Sequence, residues 1–200
     1  MLKTFVMEIM DLLLPPRRTD RLVRTLTLEQ LHRLEGEDGL PYHDPRITAL
    51  IWELKYYKTS RASLLAGEYI AEALLAAASE ELGVPLLIPV PMHPNRRKVR
   101  GHNQTEVLCK AALPFCAGAV EYRPHVLKRV VDTPTQQGLP KAERVKNVLN
   151  SMVADTEVLV GRAVIVLDDV TTTGATLAEA KRALRLAGAR AVHCVALARS

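Results

Sequence analysis

Two adjacent carboxylates, Asp168 and Asp169, directly follow an apolar run at residues 163–167. A run of this length is typical of a buried strand in a parallel sheet, and such sheets bind ligands beyond the carboxyl ends of their strands. Paired carboxylates there cost free energy because they repel each other and lose solvation. Hydrogen bonds from a vicinal diol, or a bound Mg²⁺, would offset this cost. The sequence therefore indicates a ligand site at the two acids, with a capped turn as the alternative.

A hydroxyl-rich turn follows the acids and leads into a helix predicted over residues 173–186. Its members are Thr171, Thr172, Thr173, Gly174, Ala175 and Thr176. Free N–H groups and the dipole at a helix start favour an anion, and Gly174 lets the backbone approach a ligand closely. A diol site beside a phosphate cradle describes a 5-phosphoribosyl group. The competing phosphate patterns GxxxxGK[ST] and GxGxxG do not occur in the chain.

The remaining sequence predicts alternating helices and apolar strands. Asp44 followed by Pro45 begins a helix, and Asn103 with Glu106 three residues later begins another. Further helices are predicted over residues 63–82 and 140–152, and strands over residues 85–90, 123–131 and 191–198. This order predicts an α/β fold with a parallel sheet flanked by helices. We expect that domain over residues 42–200, preceded by an N-terminal cap or hood over residues 1–41.

Composition excludes several classes of protein. Hydrophobic residues make up 48% and charged residues 24% of the 200 residues, which is typical of a globular domain and not of a disordered or fibrous chain. Cys109, Cys116 and Cys194 form no CxxC pair, so we expect neither disulfides nor zinc, and we place Cys109 and Cys194 in the core. No uncharged run approaches the ~20 residues that span a bilayer. A cytoplasmic protein without membrane insertion is expected.

A dense basic run stands at Arg96, Arg97, Lys98 and Arg100. Arginine offers bidentate contacts to phosphate oxygens, so the run suits a pyrophosphate group. A nucleic-acid contact and a solvated basic loop remain open as alternatives, since the formal net charge of +5 permits an anionic partner without requiring one.

Residues 164–176, VIVLDDVTTTGAT, resemble the phosphoribosyl pyrophosphate (PRPP) signature of type I phosphoribosyltransferases. Within that family, the chain resembles the ComF (competence protein F) group of amidophosphoribosyltransferase-like proteins. Three segments carry this narrower resemblance: LKYYK at 54–58, IPVPMHPNRRKVRGHNQ at 88–104 and KRVVDTPTQQGLPKAERVKN at 128–147. Many members of the group carry an N-terminal four-cysteine module, and because no cysteine precedes Cys109 we expect that module to be absent.

The resemblance implies an enzyme that binds PRPP with Mg²⁺ and transfers the 5-phosphoribosyl group to a nitrogen acceptor, releasing pyrophosphate. Asp168 and Asp169 would hold the ribose hydroxyls and lie near the Mg²⁺, and residues 171–176 would hold the 5-phosphate. The pyrophosphate loop would be Pro91, Met92 and His93, and the catalytic cations would be Arg97, Arg100 and Arg129. A mobile loop would extend over residues 129–137.

The same resemblance implies a second hypothesis, in which the protein is a non-catalytic PRPP-binding factor that assists uptake of single-stranded DNA together with the competence machinery. The low aromatic content, 4% of residues, does not favour a base-stacking surface. Homodimer and monomer both remain open, as does the identity of the acceptor.

Overall fold

Helices and strands alternate along the computed structural model, which describes residues 16–37, 39–57, 59–132 and 148–200. The helices are Pro16–Thr25 (α1), Leu28–Leu34 (α2), Pro45–Trp52 (α3), Ser60–Ser79 (α4), Pro94–Arg100 (α5), Gln104–Ala112 (α6), Thr156–Leu159 (α7) and Ala175–Leu186 (α8). A π-helical turn, Glu53–Tyr57, continues α3, and a 3-10 turn, Leu113–Phe115, follows α6. The strands are Leu40–Pro41 (β1), Leu86–Pro89 (β2), Glu121–Tyr122 (β3), Leu127–Arg129 (β4), Met152–Ala154 (β5), Ala163–Thr171 (β6) and Ala191–Arg199 (β7).

Within these residues, five parallel strands form the central sheet in the order β1-β7-β6-β2-β3. The remaining two strands, β4 and β5, form a separate antiparallel pair. Alternate side chains of β6 enter two different hydrophobic clusters, with Ile165 and Leu167 on one face and Val164 and Val166 on the other. Helices α4 and α6 cover the first face and α8 covers the second, which confirms the predicted α/β fold.

The connections on either side of the β2–β6 pair run over opposite faces of the sheet. Helix α6 leads from β2 to β3 on one face, whereas α8 leads from β6 to β7 on the other. Such a reversal leaves a crevice at the carboxyl ends of the two strands, where open α/β sheets bind ligands. The topology therefore directs the search for a site to the ends of β2 and β6.

Local capping explains the helix starts that the sequence predicted. The Asp44 carboxylate accepts a hydrogen bond from the Arg46 amide at 2.8 Å, and Pro45 is the first residue of α3. Asn103 caps α6 by accepting from the Thr105 amide at 3.3 Å. Glu106 does not complete a capping box; its carboxylate pairs instead with a cation of the preceding helix, α5.

Element bounds differ from the sequence predictions where tertiary contacts replace local signals. The helix predicted over 63–82 is Ser60–Ser79. The strand predicted over 123–131 is shorter, Leu127–Arg129. The last helix begins at Ala175 instead of residue 173. The helix predicted over 140–152 and the loop predicted over 129–137 lie mostly outside the described residues, and Met152 belongs to a strand. Strand β6 continues to Thr171, so the two acids lie within it.

Cys194 is not a core residue, although the sequence predicted one. Cys109 is fully buried on α6, but Cys194 is exposed on β7. It borders a cavity of about 370 Å³ that Leu177 and Ala196 also line, at the side of α8. Cys109 lies on the face of α6 that packs into the core, whereas the position of Cys194 on β7 stays open to solvent beside α8.

The described part of the predicted N-terminal cap packs against the sheet domain. Val23, Leu31 and Leu40 are buried in the same hydrophobic cluster as Ile165 of the central strand. Strand β1, at the end of this segment, pairs with β7 as the edge of the sheet. The boundary at residue 41 stays a prediction.

Helix α4 has the length and the mean hydropathy, 1.2, of a helix that could cross a membrane. Core helices of globular domains share these properties, and here Ala66, Ile70 and Leu74 pack in the core. Gly67 lies where α4 crosses α6, because a Cβ at this position would come within 2.5 Å of the Ala111 carbonyl carbon and oxygen. The two backbones therefore approach as closely as a glycine allows.

We expect Gly67→Ala to lower the free energy of unfolding by about 1–3 kcal/mol, because the added methyl group meets rigid backbone and must push the helices apart. In a chain of this size that corresponds to a fall of about 2–4 °C in Tm for each kcal/mol, measured by thermal denaturation. Helix propensity alone predicts the opposite, a gain of up to about 1 kcal/mol. An unchanged or higher Tm would therefore contradict the close contact.

Candidate functional site

A cleft of about 300 Å³ opens at the carboxyl ends of β2 and β6. The structure brings together at this cleft most of the residues that the sequence predicted. Predicted residues in its lining are Pro91, Met92, His93, Arg100, Arg129, Asp168, Asp169 and Thr176. Further lining residues are Lys55, Tyr56, Val90, Arg96, Asn103, Gln104, Thr105 and Val170. We refer to this space as the cleft.

The register of the sheet explains why the two acids face the cleft. Strand β2 ends at Pro89, opposite Leu167, and the Val90 amide donates to the Leu167 carbonyl at 2.8 Å. Asp168 and Asp169 are thus the first residues of β6 beyond the end of β2. Both are nearly buried, with 6% and 5% of their surface exposed, and yet both line the cleft.

The two carboxylates have different partners. Asp169 forms an ion pair with Lys55, whose Nζ lies 2.9 Å from Asp169 Oδ2. Asp168 Oδ1 accepts a hydrogen bond from the Asp169 amide at 2.9 Å. Burial and then the charge of Asp169 raise the pKa of the Asp168 carboxyl well above its ordinary value. The acids therefore carry one full negative charge and one carboxyl that readily holds a proton.

The ion pair keeps both Lys55 and Asp169 charged. Burial acts to raise the pKa of Asp169, but the Lys55 ammonium outweighs burial and holds the pKa below its ordinary value. Burial likewise acts to lower the pKa of Lys55, whereas the charge of Asp169 raises it, and the net shift is upward. Opposite charges at close range stabilise the charged form of each partner, so both shifts have the expected sign.

Lys55 was not among the sequence-predicted site residues. It lies in the π-helical turn Glu53–Tyr57, and turns of this kind occur frequently at functional sites. The signal was present in the LKYYK segment, but a lysine among aromatic residues on a predicted helix does not reveal that it faces a strand end more than 100 residues later. Contact with Asp169 depends on how α3 packs on the sheet.

The turn Pro91, Met92 and His93 is held in place by α6. The Val90 carbonyl accepts hydrogen bonds from Asn103 Nδ2 at 3.0 Å and from Thr105 Oγ1 at 2.7 Å. Both donors are buried, so these bonds are protected from water. The start of the turn is therefore set by side chains at the first residues of the next long helix, an arrangement that sequence spacing alone did not reveal.

The hydroxyl-rich turn is only partly directed at the cleft. Thr176 lines the cleft, Thr171 and Gly174 line the neighbouring cavity beside Cys194, and Thr172 is exposed. Ala175 donates its amide to Thr173 Oγ1 at 3.3 Å. Gly174 has φ +75° and an added Cβ would meet no atom within 4 Å, so its left-handed backbone, and not a lack of space, calls for glycine in this structure.

Three arginines line the cleft together with the acids: Arg96, Arg100 and Arg129. Arg100 lies 5.5 Å from the centre of the Tyr56 ring and donates to Gln104 Oε1 at 2.8 Å. Burial lowers the pKa of the Arg129 guanidinium, and the charge of Asp168 counteracts this effect. The cleft thus has an acidic side on β6 and a cationic side contributed by α5 and β4.

Arg97, which the resemblance implied as a catalytic cation, lies outside the cleft lining. Its guanidinium forms a bidentate pair with Glu106, with Nη2 3.0 Å from Oε2. Both side chains line a second cavity of about 450 Å³ on the far side of the Pro91–His93 turn. Arg97 and Arg100 are three residues apart on α5 and are therefore neighbours on its surface. A small difference in side-chain direction leaves Arg100 in the cleft lining, while Arg97 pairs with Glu106.

No group of three or more His, Cys, Asp or Glu side chains suited to a metal ion occurs in the described ranges. Two carboxylates at the cleft nevertheless match the way proteins hold Mg²⁺ together with substrate phosphates, which needs one or two protein carboxylates. Asp168 and Asp169 therefore fit a magnesium ion that arrives with a phosphorylated ligand, and do not form a cage of their own.

The parallel sheet, the two acids at the end of a strand and the helix start that follows them are the arrangement of a phosphoribosyltransferase-type domain. Comparison with known proteins agrees. Residues 118–200 match the phosphoribosyl transferase domain family. The chain is 31% identical over 160 residues to DNA utilization protein YhgH of Salmonella typhi. The aligned residues are 79% of this chain and 69% of that protein. It is 33% identical over 128 residues to competence protein F of Haemophilus influenzae. These residues are 62% of this chain and 55% of that protein. The chain belongs to the phosphoribosyltransferase-domain family that contains these two proteins.

Solved structures with a similar chain path include two phosphoribosyl-transferring enzymes. Glutamine PRPP amidotransferase from B. subtilis matches with a TM-score of 0.41 and 18% identity, over 74% of this chain and 30% of that one. Hypoxanthine phosphoribosyltransferase from Trypanosoma cruzi matches with a TM-score of 0.42 and 16% identity, over 69% of this chain and 64% of that one.

Proposed function

We propose that the cleft binds PRPP and that the protein transfers its 5-phosphoribosyl group to a nitrogen acceptor with release of pyrophosphate. The observation that carries this proposal is the charge distribution of the cleft, in which Asp168 and Asp169 of β6 and arginines of α5 and β4 line one space. PRPP has a ribose diol between a monophosphate and a pyrophosphate. Such a ligand needs acceptors in the middle and cationic or N–H donors at both ends.

The acidic side suits the ribose hydroxyls. An ionised carboxylate is an acceptor only, so Asp169 would accept from one hydroxyl, while Asp168 would accept from the other after releasing its proton. The 12-residue helix α8 starts at Ala175, after the turn that follows the acids. Its first N–H groups would hold the 5-phosphate, as helix starts hold anions generally, with the Thr176 side chain at the cleft.

The cationic side suits the pyrophosphate. During transfer, the lone pair of the acceptor nitrogen forms a bond to the anomeric carbon as the bond to the pyrophosphate oxygen breaks, and the electron pair leaves with pyrophosphate. The acceptor nitrogen releases a proton to solvent. Negative charge grows on the leaving oxygen, and Arg100 and Arg129 would stabilise it from positions already set by the fold.

Magnesium belongs to this proposal as a companion of PRPP. It would be held chiefly by substrate oxygens, with Asp168 and Asp169 as the protein carboxylates beside it. When bound, the ion neutralises pyrophosphate charge. The residues of this chain bind the diol, orient the sugar and place the arginines.

The test is PRPP-dependent release of pyrophosphate in the presence of Mg²⁺, measured with ammonia and a panel of nitrogen bases. We expect Arg129→Gln to reduce turnover about tenfold, since it removes one charge-assisted contact to the leaving group. Arg123→Gln is the matched control, because Arg123 pairs with Glu121 and does not line the cleft. Equal turnover in the Arg129→Gln variant and the wild type would contradict the role of Arg129.

A second candidate function follows from the names of the relatives, a DNA utilization protein and a competence protein. Under this candidate function, the chain would bind PRPP without turnover and would contact single-stranded DNA through the basic residues of α5, which are Arg96, Arg97, Lys98 and Arg100. The described residues offer little for base stacking, since Tyr56 is the only exposed Phe, Trp or Tyr side chain among them. DNA binding that weakens steeply with salt, without pyrophosphate release, would favour this candidate.

A further inference from the structure

Asp132 lies at the end of the described segment that follows β4, and its carboxylate reaches across to the start of α5. Asn95 Nδ2 donates to Asp132 Oδ2 at 2.9 Å. His93 Nδ1 lies 3.4 Å from the same oxygen, and Arg96 Nε lies 3.8 Å from Oδ1. We call His93, Asn95 and Arg96 the pyrophosphate wall. One carboxylate thus contacts two groups that favour an anion, the Asn95 amide and the Arg96 guanidinium, and lies beside the His93 ring, whose Nδ1 also accepts from the Asn95 backbone amide at 3.3 Å.

Two members of this wall, His93 and Arg96, line the same cleft as the two acids. Under the proposed function, they belong to the part of the cleft that takes the pyrophosphate. Asp132 is 43% exposed and is not itself a lining residue. Its carboxylate therefore occupies, from outside the cleft, the hydrogen-bonding and charge partners that a bound pyrophosphate would need.

We propose that Asp132 is an internal counter-anion of the pyrophosphate wall, which a diphosphate-bearing ligand must displace in order to bind. This inference rests on the proposed function and adds a determinant of affinity and selectivity to it. The competition is limited to ligands that reach His93 and Arg96. A sugar monophosphate, which would contact only the acids and the start of α8, does not compete with Asp132.

The strength of the contacts fits a displaceable partner. An ion pair between exposed side chains contributes about 0.2–1 kcal/mol, and salt weakens it further. Asp132 and Arg96 have exposed fractions of 43% and 35%. The nearly buried pair of Lys55 and Asp169 differs in this respect, since the side chain of Asp169 is 7% exposed. The wall therefore keeps an anionic partner that a ligand with several negative charges can replace.

Calorimetric titration of the full chain tests the inference with three probes: PRPP, inorganic pyrophosphate and ribose 5-phosphate. We expect Asp132→Asn to bind PRPP and pyrophosphate about three- to tenfold more tightly than the wild type, because the competing charge is gone. Affinity for ribose 5-phosphate should not change. The gain should shrink in high salt. A gain of affinity cannot come from general damage to the fold.

Glu29→Gln is the control for net charge, since it removes one negative charge from a side chain that is 74% exposed on α2 and does not line the cleft. An equal gain in that variant, or a gain for all three probes, would overturn the inference, as would unchanged or weaker PRPP binding by Asp132→Asn. In each of these cases, binding of PRPP by the wild-type chain would still support the proposed function. A wild type that binds neither PRPP nor pyrophosphate would contradict both.

Discussion

Asp169→Asn should lower the free energy of unfolding by about 2–3 kcal/mol and abolish PRPP binding. The variant removes the partner of Lys55 and leaves an ammonium group in a largely enclosed position, and removal of one member of a buried ion pair is strongly destabilising. The expected loss is below the upper end for such pairs because the Lys55 side chain keeps 22% of its surface exposed. Thermal denaturation and calorimetry with PRPP measure the two effects.

The double variant Lys55→Met with Asp169→Asn separates stability from binding. Methionine keeps most of the apolar stem of the lysine and removes its charge, so the double variant should regain most of the lost stability. It should not regain PRPP binding, because the carboxylate that accepts from the ribose is still missing. If the two substitutions were simply additive in stability, the ion pair would not be the cause of the effect.

Asp168→Asn should reduce PRPP affinity about 100-fold while raising Tm. The loss corresponds to an ionised acceptor of the ribose hydroxyls, since hydrogen bonds to charged groups contribute up to about 3 kcal/mol. The gain in stability has a separate origin. Burial and the charge of Asp169 raise the pKa of the Asp168 carboxyl, and an asparagine can accept the same hydrogen bond from the Asp169 amide without ever ionising.

The sign of the pH dependence distinguishes this explanation from better packing. The pKa of Asp168 is higher in the folded chain than its ordinary value of 3.8, so its contribution to stability is fully present below that pH and is lost as the pH rises towards the folded pKa. The Asp168→Asn substitution removes that loss, because the amide does not titrate. The Tm difference between variant and wild type should therefore widen as the pH rises from 3.8 towards the folded pKa.

A constant Tm difference across this range would contradict the raised pKa of Asp168, and a lower Tm of the variant at every pH would contradict the whole electrostatic description. Asp20→Asn provides a matched control, since Asp20 pairs with Arg24 on the surface of α1 and lies outside the cleft. We thus expect Asp169→Asn and Asp168→Asn to change stability in opposite directions, although both variants lose affinity for PRPP. Such a trade-off is common where ligand binding needs groups that the folded chain alone does not favour.

The sequence alone determined the features that depend on neighbouring residues. The apolar run before Asp168 identified a strand, Asp44 and Asn103 identified helix starts, and the order of elements identified a parallel sheet with helices on both faces. These signals act over a few residues, through capping bonds and side-chain periodicity. They also located the acids, whereas the turn at residues 91–93 was implied by the resemblance to type I phosphoribosyltransferases, and the structure brings both to one cleft.

Only the tertiary structure decided which charges meet. Lys55 and Asp169 are separated by more than 100 residues, and their pairing makes the two adjacent acids unequal. Arg97 pairs with Glu106, Cys194 stays exposed beside α8, and Asp132 contacts the start of α5. The physical reason is that burial, counter-ions and close approach are properties of a place in space. A residue's type states what it can do there, but the packing of distant segments decides whether it has the partner, the proton or the access to do so.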